Sequence, residues 1–343
     1  LDREDLRVSL AAEVAAGYMD LRGAQRQLAI ARENLALQQQ TLSLTQERFD
    51  AGFVSGLDVA NARTQVANTT AQIPAQQARI RADMFSLAEL LGRTPDGLIA
   101  DLSADAPIPA PPASVPVGLP SELLQRRPDL RRAQADLHAA TARVGVAIAD
   151  QYPRIALTGS LGVSGPKVSS LGTLANRFWS IGPSVSVPIL SGGRLEATVE
   201  QRRAAADEAL LGYRASVLTA LSDVETALVN FTREQERLAS LEESAASAKD
   251  ALDLALSLYD AGRTDFLNVL SAQRELLSAQ SSLAQSTTTV STNLVALYKS
   301  LGGGWDPTSV PADQPATQPA AQPTAPQTPT SSDAASRPAG SGY

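Results

Sequence analysis

Apolar residues recur every seven positions over most of the chain. Val14, Leu21, Leu28, Leu35, Leu42 and Phe49 form one series, and Val224, Phe231, Leu238, Ala245, Leu252 and Tyr259 form another. Two more series run through Val59, Val66, Ile73, Ile80 and Leu87, and through Val269, Leu276, Leu283, Val290 and Leu297. A strict seven-residue repeat puts one apolar seam on each helix and favours left-handed supercoiling. From Leu195 to Asp260 there is no proline, so a rise of 1.5 Å per residue predicts a helix of roughly 100 Å. Gln235, Glu242 and Lys249, read as the second seam, are polar. Such a helix suits the wall of a tube better than an ordinary two-stranded coil.

The four series are two copies of one pattern. An offset of 210 positions lays Ala12–Gly92 on Ser222–Gly302 without a gap and brings Asp50-Ala51-Gly52 onto Asp260-Ala261-Gly262. The apolar phase changes at both tripeptides, and glycine there can end the outgoing helix in a left-handed conformation. Each copy therefore predicts a long helical hairpin, over 1–92 with a tip near 50–56 and over 191–302 with a tip near 260–265. Pro74, where the second copy has Ala284, predicts a kink in the first return helix.

Between the copies the period changes. Residues 93–120 form a proline-rich connector, densest over Pro107–Pro116. Residues 121–152 predict a helix, with Ser121 as cap and Pro153 as stop. Over 153–190 the apolar period falls to two. Ile155, Leu157, Leu161 and Val163 alternate with small or polar residues, as do Trp179, Ile181, Val185, Val187 and Ile189. Each run is about the ten residues of one tilted strand through a bilayer. Tyr152, Phe178 and Trp179 stand at strand ends, where rings favour the membrane interface. The same alternation also fits a half-buried hairpin on a water-soluble core, and the residues alone leave both readings open. One hairpin cannot span lipid, because its edges leave backbone groups unpaired. The repeat offset puts the first copy's strand pair ahead of Leu1, so a longer parent with a second pair is expected.

Composition narrows the chemistry. A formal net charge of -7 gives no basic face for nucleic acid. With no cysteine and one histidine, His138, no cofactor or metal site is expected. His138 and the Glu242-Glu243 pair read as solvated helix faces. Gly162–Ser169 is not a phosphate loop, since Pro166 interrupts it, and Asn230-Phe231-Thr232 matches a glycosylation pattern by chance at mid-helix. No nucleophile, base and orienter converge, so an enzyme is the weakest reading. No apolar run approaches the roughly 20 residues of a spanning helix. Residues 303–343, rich in proline, alanine, threonine and glutamine, predict disorder.

Several dispersed motifs, in order, resemble the TolC-like outer-membrane efflux protein family, in its lipoprotein branch serving resistance-nodulation-division pumps. They are Leu119-Pro120-Ser121, Arg126-Arg127-Pro128-Asp129-Leu130, Tyr152-Pro153, Leu157-Thr158-Gly159-Ser160 and Pro188-Ile189-Leu190-Ser191-Gly192-Gly193. Tyr259-Asp260-Ala261-Gly262, Phe266-Leu267-Asn268-Val269-Leu270 and Leu297–Trp305 complete the set. The resemblance implies a mainly α fold with a small β part. In it, long coiled-coil hairpins form a tunnel, and the strand pair joins a trimeric twelve-stranded transmembrane barrel.

The implied partners are two further copies, a periplasmic adaptor, an inner-membrane pump and outer-membrane lipid. The implied role is a passive exit duct in the outer membrane, its helical tunnel in the periplasm. Leu267, Asn268, Ser271 and Arg274, with Asp58 and Asn61, correspond to the narrow end; Asn268 and Ser271 stand where carboxylates are often found. Ala51, Gly52, Phe53, Ala261, Gly262 and Arg263 correspond to adaptor-contacting tips. The rival class is a non-transporting periplasmic coiled-coil scaffold or adaptor, although the short-strand domains of adaptors are not visible.

Overall fold

Helices α1 (Asp2–Asp50) and α2 (Gly56–Leu90) form the first hairpin, and α5 (Arg194–Asp260) and α6 (Phe266–Ser300) the second. Between them come α3 (Asp96–Leu102), α4 (Pro128–Ala149), β1 (Arg154–Val163) and β2 (Arg177–Ser186). This computed structural model describes residues 2–104, 106–109, 112, 126–164 and 177–303. The chain divides into two units, Leu1–Trp305 and Asp306–Tyr343, and every described residue belongs to the first. The expected cap at Ser121, much of the proline-rich connector and the tail lie outside the described residues.

The sequence repeat is also a repeat of helix ends. The return helices α2 and α6 are each 35 residues long and begin 210 positions apart. At both tips a glycine takes a left-handed φ, 78° at Gly52 and 68° at Gly262. The backbone then closes identically: Phe53 N donates to Arg48 O and Arg263 N to Leu258 O, both at 2.8 Å. These satisfy carbonyls that a helix end otherwise leaves bare. Each return helix restarts on a side-chain cap, Ser55 for α2 and Asp265 for α6. At 67 residues, α5 spans about 100 Å. Among the described residues no helix is long and apolar enough to cross a membrane.

The principal packing runs α2–α1–α6–α5–α4, each helix lying beside the next. Within a hairpin the seams are apolar. Leu21 and Ala24 meet Ile80, Met84 and Leu87 in the first. In the second, Ala227 and Phe231 meet Val290 and Leu297, and nearer the tip Leu252 and Tyr259 meet Phe266, Val269 and Leu276. The expected polar second seam on α5 is corrected here. Glu242 and Lys249 are exposed, whereas Ala227 and Ala248, three residues after Val224 and Ala245, are buried. A coiled-coil seam alternates spacings of three and four, and alanine on the short step lets the helices approach closely. Helix α2 runs unbroken through Pro74, which removes one helical bond without ending the helix.

Opposite the tips, Arg127 ties three helices together. Its Nη2 donates to Asp129 at 2.7 Å and to Asp223 at 3.2 Å, and its Nη1 to Ser300 O at 3.1 Å. Burial raises the Asp129 carboxyl, but the hydrogen bonds and charge of Arg127 outweigh it and hold the group below its usual value. Pro128 opens α4 and Leu130 is fully buried. At Gly302, with φ 98°, a Cβ would stand 3.1 Å from the backbone of Arg126.

Candidate functional site

The strand pair carries two chemically different faces. β1 and β2 are antiparallel, with Leu161 opposite Trp179 and Gly162 opposite Phe178. Opposed residues share a face of the sheet. One face holds Ile155, Leu157, Leu161 and Val163 with Val185, Ile181 and Trp179, all exposed. The other holds Ala156, Thr158, Ser160 and Gly162 with Ser184, Gly182 and Ser180. Its hydroxyls bond within the sheet: Ser160 Oγ lies 2.8 Å from Ser180 Oγ, and Thr158 Oγ1 donates to Gly182 O at 3.3 Å. Val187 and Ile189 lie beyond β2, correcting their assignment to the strand. The ladder ends at the Arg154–Ser186 pair, just inside Pro153 and Pro188, while Pro183 lies within it opposite Leu157.

Both tips are open to solvent. Ala51, Gly52, Phe53, Ala261, Gly262 and Arg263 are exposed, with Phe53 at 82 %. Leu267, Asn268, Ser271 and Arg274 are also exposed and follow one another up the same side of α6. Of the four, Arg274 reaches α2, its Nε donating to Gln65 Oε1 at 3.0 Å. Asn268 turns back to Thr264 Oγ1 at 2.7 Å. Asp58 is half-buried, and its carboxylate accepts from the N–H and hydroxyl of Ser55 at 3.0 and 2.8 Å, closing the cap of α2. Asn61 is half-buried one turn further on.

The contact between the two hairpins combines apolar packing, in a cluster that joins Ala62 and the partly buried Leu37, Leu42 and Leu44 to α5 and α6, with a polar stripe that the hydrophobic periodicity did not reveal. Four α1 residues spaced by seven bond across it. Gln27 donates to Ser281 O at 2.7 Å, Asn34 to Gln280 Oε1 at 2.8 Å, and Thr41 Oγ1 accepts from Gln273 at 2.8 Å. Arg48 completes the series by reaching the end of α5. Its guanidinium donates to Tyr259 O and, at 2.8 Å, to Asp260 O, and stands 4.3 Å from the centre of the Tyr259 ring. A cation there meets the last carbonyls and negative dipole end of a helix, sharing Tyr259 O with the N–H of Gly262. The first tip is thus clamped to the second. Higher up, Gly23 is notched against Thr288: a Cβ at Gly23 would lie 2.8 Å from Thr288 Cγ2.

The model of the outer membrane efflux protein family matches residues 1–93 and 119–303. Nodulation protein T of Rhizobium leguminosarum bv. trifolii is 35 % identical over 298 residues, covering 87 % of this chain and 64 % of the relative. The toluene efflux pump outer membrane protein TtgF of Pseudomonas putida is 33 % identical over 307 residues, covering 90 % and 63 %. The chain therefore spans less than two thirds of the length of these curated relatives. Among solved structures, the outer-membrane channel OprN superposes with a TM-score of 0.81 at 41 % identity, covering 89 % of this chain and 68 % of that one.

Proposed function

The chain belongs to the outer membrane efflux protein family, and from that premise we propose that it is part of a passive exit duct through the outer membrane. The observation that carries the reading is the two-faced strand pair set on long helical hairpins. A sheet whose exposed apolar face backs onto a hydroxylic one is suited to lipid on one side and water on the other. Both edges of the pair are free among the described strands, and lipid tolerates no free edge. Closure requires further strands, from the rest of the protein and from two more copies in a twelve-stranded barrel. The helical hairpins then continue the conduit into the periplasm.

In this reading the duct performs no bond chemistry; pore width and lining groups select what passes. An inner-membrane pump supplies the work, and a periplasmic adaptor engages the exposed tips at Ala51, Gly52 and Phe53 and at Ala261, Gly262 and Arg263. Leu267, Asn268, Ser271 and Arg274, with Asn61 and the capped Asp58, line the narrow end. Asn61, Asn268 and Ser271 give this ring amides and a hydroxyl beside one guanidinium and one capped carboxylate, so no cluster of carboxylates gathers there to capture cations.

Detergent-extracted full-length protein, imaged as particle class averages, tests the duct. Hollow threefold tubes of roughly 100 Å or more, the length set by helix rise, are the expected result. Solid rods or soluble monomers would overturn it. For the narrow end, Asn268→Asp is expected to shift single-channel conductance and its sensitivity to divalent cations; unchanged behaviour in both would remove Asn268 from the pore.

A further inference from the structure

Phe178 and Trp179 are adjacent, and the register sends them to opposite faces. Trp179, opposite Leu161, joins the apolar face; Phe178, opposite Gly162, lies on the hydroxylic one. The expectation that both rings anchor a membrane interface therefore fails for Phe178. Its ring rests in the space above Gly162, where a built Cβ would be 2.7 Å from the ring Cζ. The ring is still half exposed. Every other described strand residue on that face is glycine, alanine, serine or threonine, apart from Arg154 at the opposite end. β1 leaves α4 and β2 enters α5 at the Arg154–Ser186 end, so Phe178 sits at the end remote from the helices.

We propose that Phe178, seated on Gly162, is a lumenal contact for flat aromatic solutes at the distal end of the strand pair. This rests on the duct reading, which assigns the hydroxylic face to the water-filled side. Glycine opposite lets the ring lie along the wall instead of projecting into the passage, presenting its π face to passing solute. A flat aromatic cation gains stacking and cation–π attraction there, whereas a tetraalkylammonium of similar charge cannot stack. The small hydroxylic residues around the ring offer no competing apolar surface, so the preference is local to this one position.

Planar-bilayer recordings of the full-length protein, with ethidium and tetraethylammonium as blocking probes, test the assignment. Phe178→Ala is expected to weaken ethidium block roughly 2- to 10-fold, the range of one aromatic contact. Phe178→Trp should retain the block, and tetraethylammonium block should not change. In a full-length background with any cysteine outside this cysteine-free chain replaced, Phe178→Cys and Trp179→Cys can be compared with a membrane-impermeant thiol reagent. Current should fall on modification of Phe178→Cys only. Pores with equal ethidium block in wild type and Phe178→Ala would overturn the proposal, as would modification at 179 and not at 178. Failure of the unmutated protein to conduct at all would instead overturn the duct.

Discussion

Replacing Arg48 should loosen the second tip without unfolding the hairpins. The guanidinium makes two charge-assisted bonds to the carbonyls that end α5 and covers the Tyr259 ring. Its contact with the Asp260 carboxylate, at 3.6 Å, is to a largely exposed group and adds little. A hydrogen bond to a charged group contributes about 1.5–3 kcal/mol, and a partly exposed cation–π contact about 0.5–1 kcal/mol. These are not additive, and the freed Asp260 carbonyl can bind water. The net loss for Arg48→Ala is therefore about 2–3 kcal/mol in the local opening of the α5 end.

Native-state amide exchange reads that opening directly. The amides of Ala261, Gly262 and Arg263 are bonded into the last turn of α5, and their exchange should accelerate roughly 30- to 150-fold. Arg48→Lys keeps the charge but loses the fork that spans two carbonyls, so an intermediate acceleration is expected. Arg48→Met keeps the stem and should behave like alanine. Exchange within about threefold of wild type in Arg48→Ala would refute the clamp, as would a lysine variant that protects fully.

Other perturbations follow from the same packing. Gly23→Ala should destabilise by about 1–3 kcal/mol through overpacking on Thr288. The double variant with Thr288→Ala should regain part of that loss in thermal melts, since the two nearest atoms are removed while the Cβ at 288 stays 3.1 Å away. Arg127→Ala should cost about 2 kcal/mol by unpairing Asp129 and Asp223, measured by denaturant titration. Because the Asp129 carboxyl is held below its unfolded value, its ionised form contributes stability above that value and loses it as pH falls through the folded one. Wild type should therefore lose stability in acid more steeply than Arg127→Ala does.

The hairpins and the strand pair were legible because each buries or exposes one face with a fixed period. Seven recurs where a helix keeps one neighbour, and two where a strand divides its environments. The alternation at Val187 and Ile189 misled, because a period of two continues past the last paired residue, Ser186. The polar stripe between the hairpins was hidden for a different reason. Gln27, Asn34 and Thr41 recur every seven residues as strictly as any leucine, yet a polar stripe reads the same whether water or another helix covers it. Arg48 carried a faint signal: its counterpart at the repeat offset is Leu258, so the copies differ where only one tip supplies the clamp. The separation of Phe178 from Trp179 needed the register, which a residue pattern alone does not fix.

The notch at Gly23 resolves an ambiguity that the polar stripe creates. Donors and acceptors spaced by seven are nearly interchangeable, so sliding α1 along α6 by one heptad, about 10 Å, would offer Asn34 or Thr41 a partner of much the same kind. Hydrogen bonding alone would leave several alignments almost equal in free energy. Thr288 breaks the tie. After such a slide it would face Ala16 or Ile30 in place of Gly23, and either presents a Cβ where the close approach leaves no room. A missing side chain thus sets the vernier between the two halves of the repeat, and with it the height at which one tip stands beside the other.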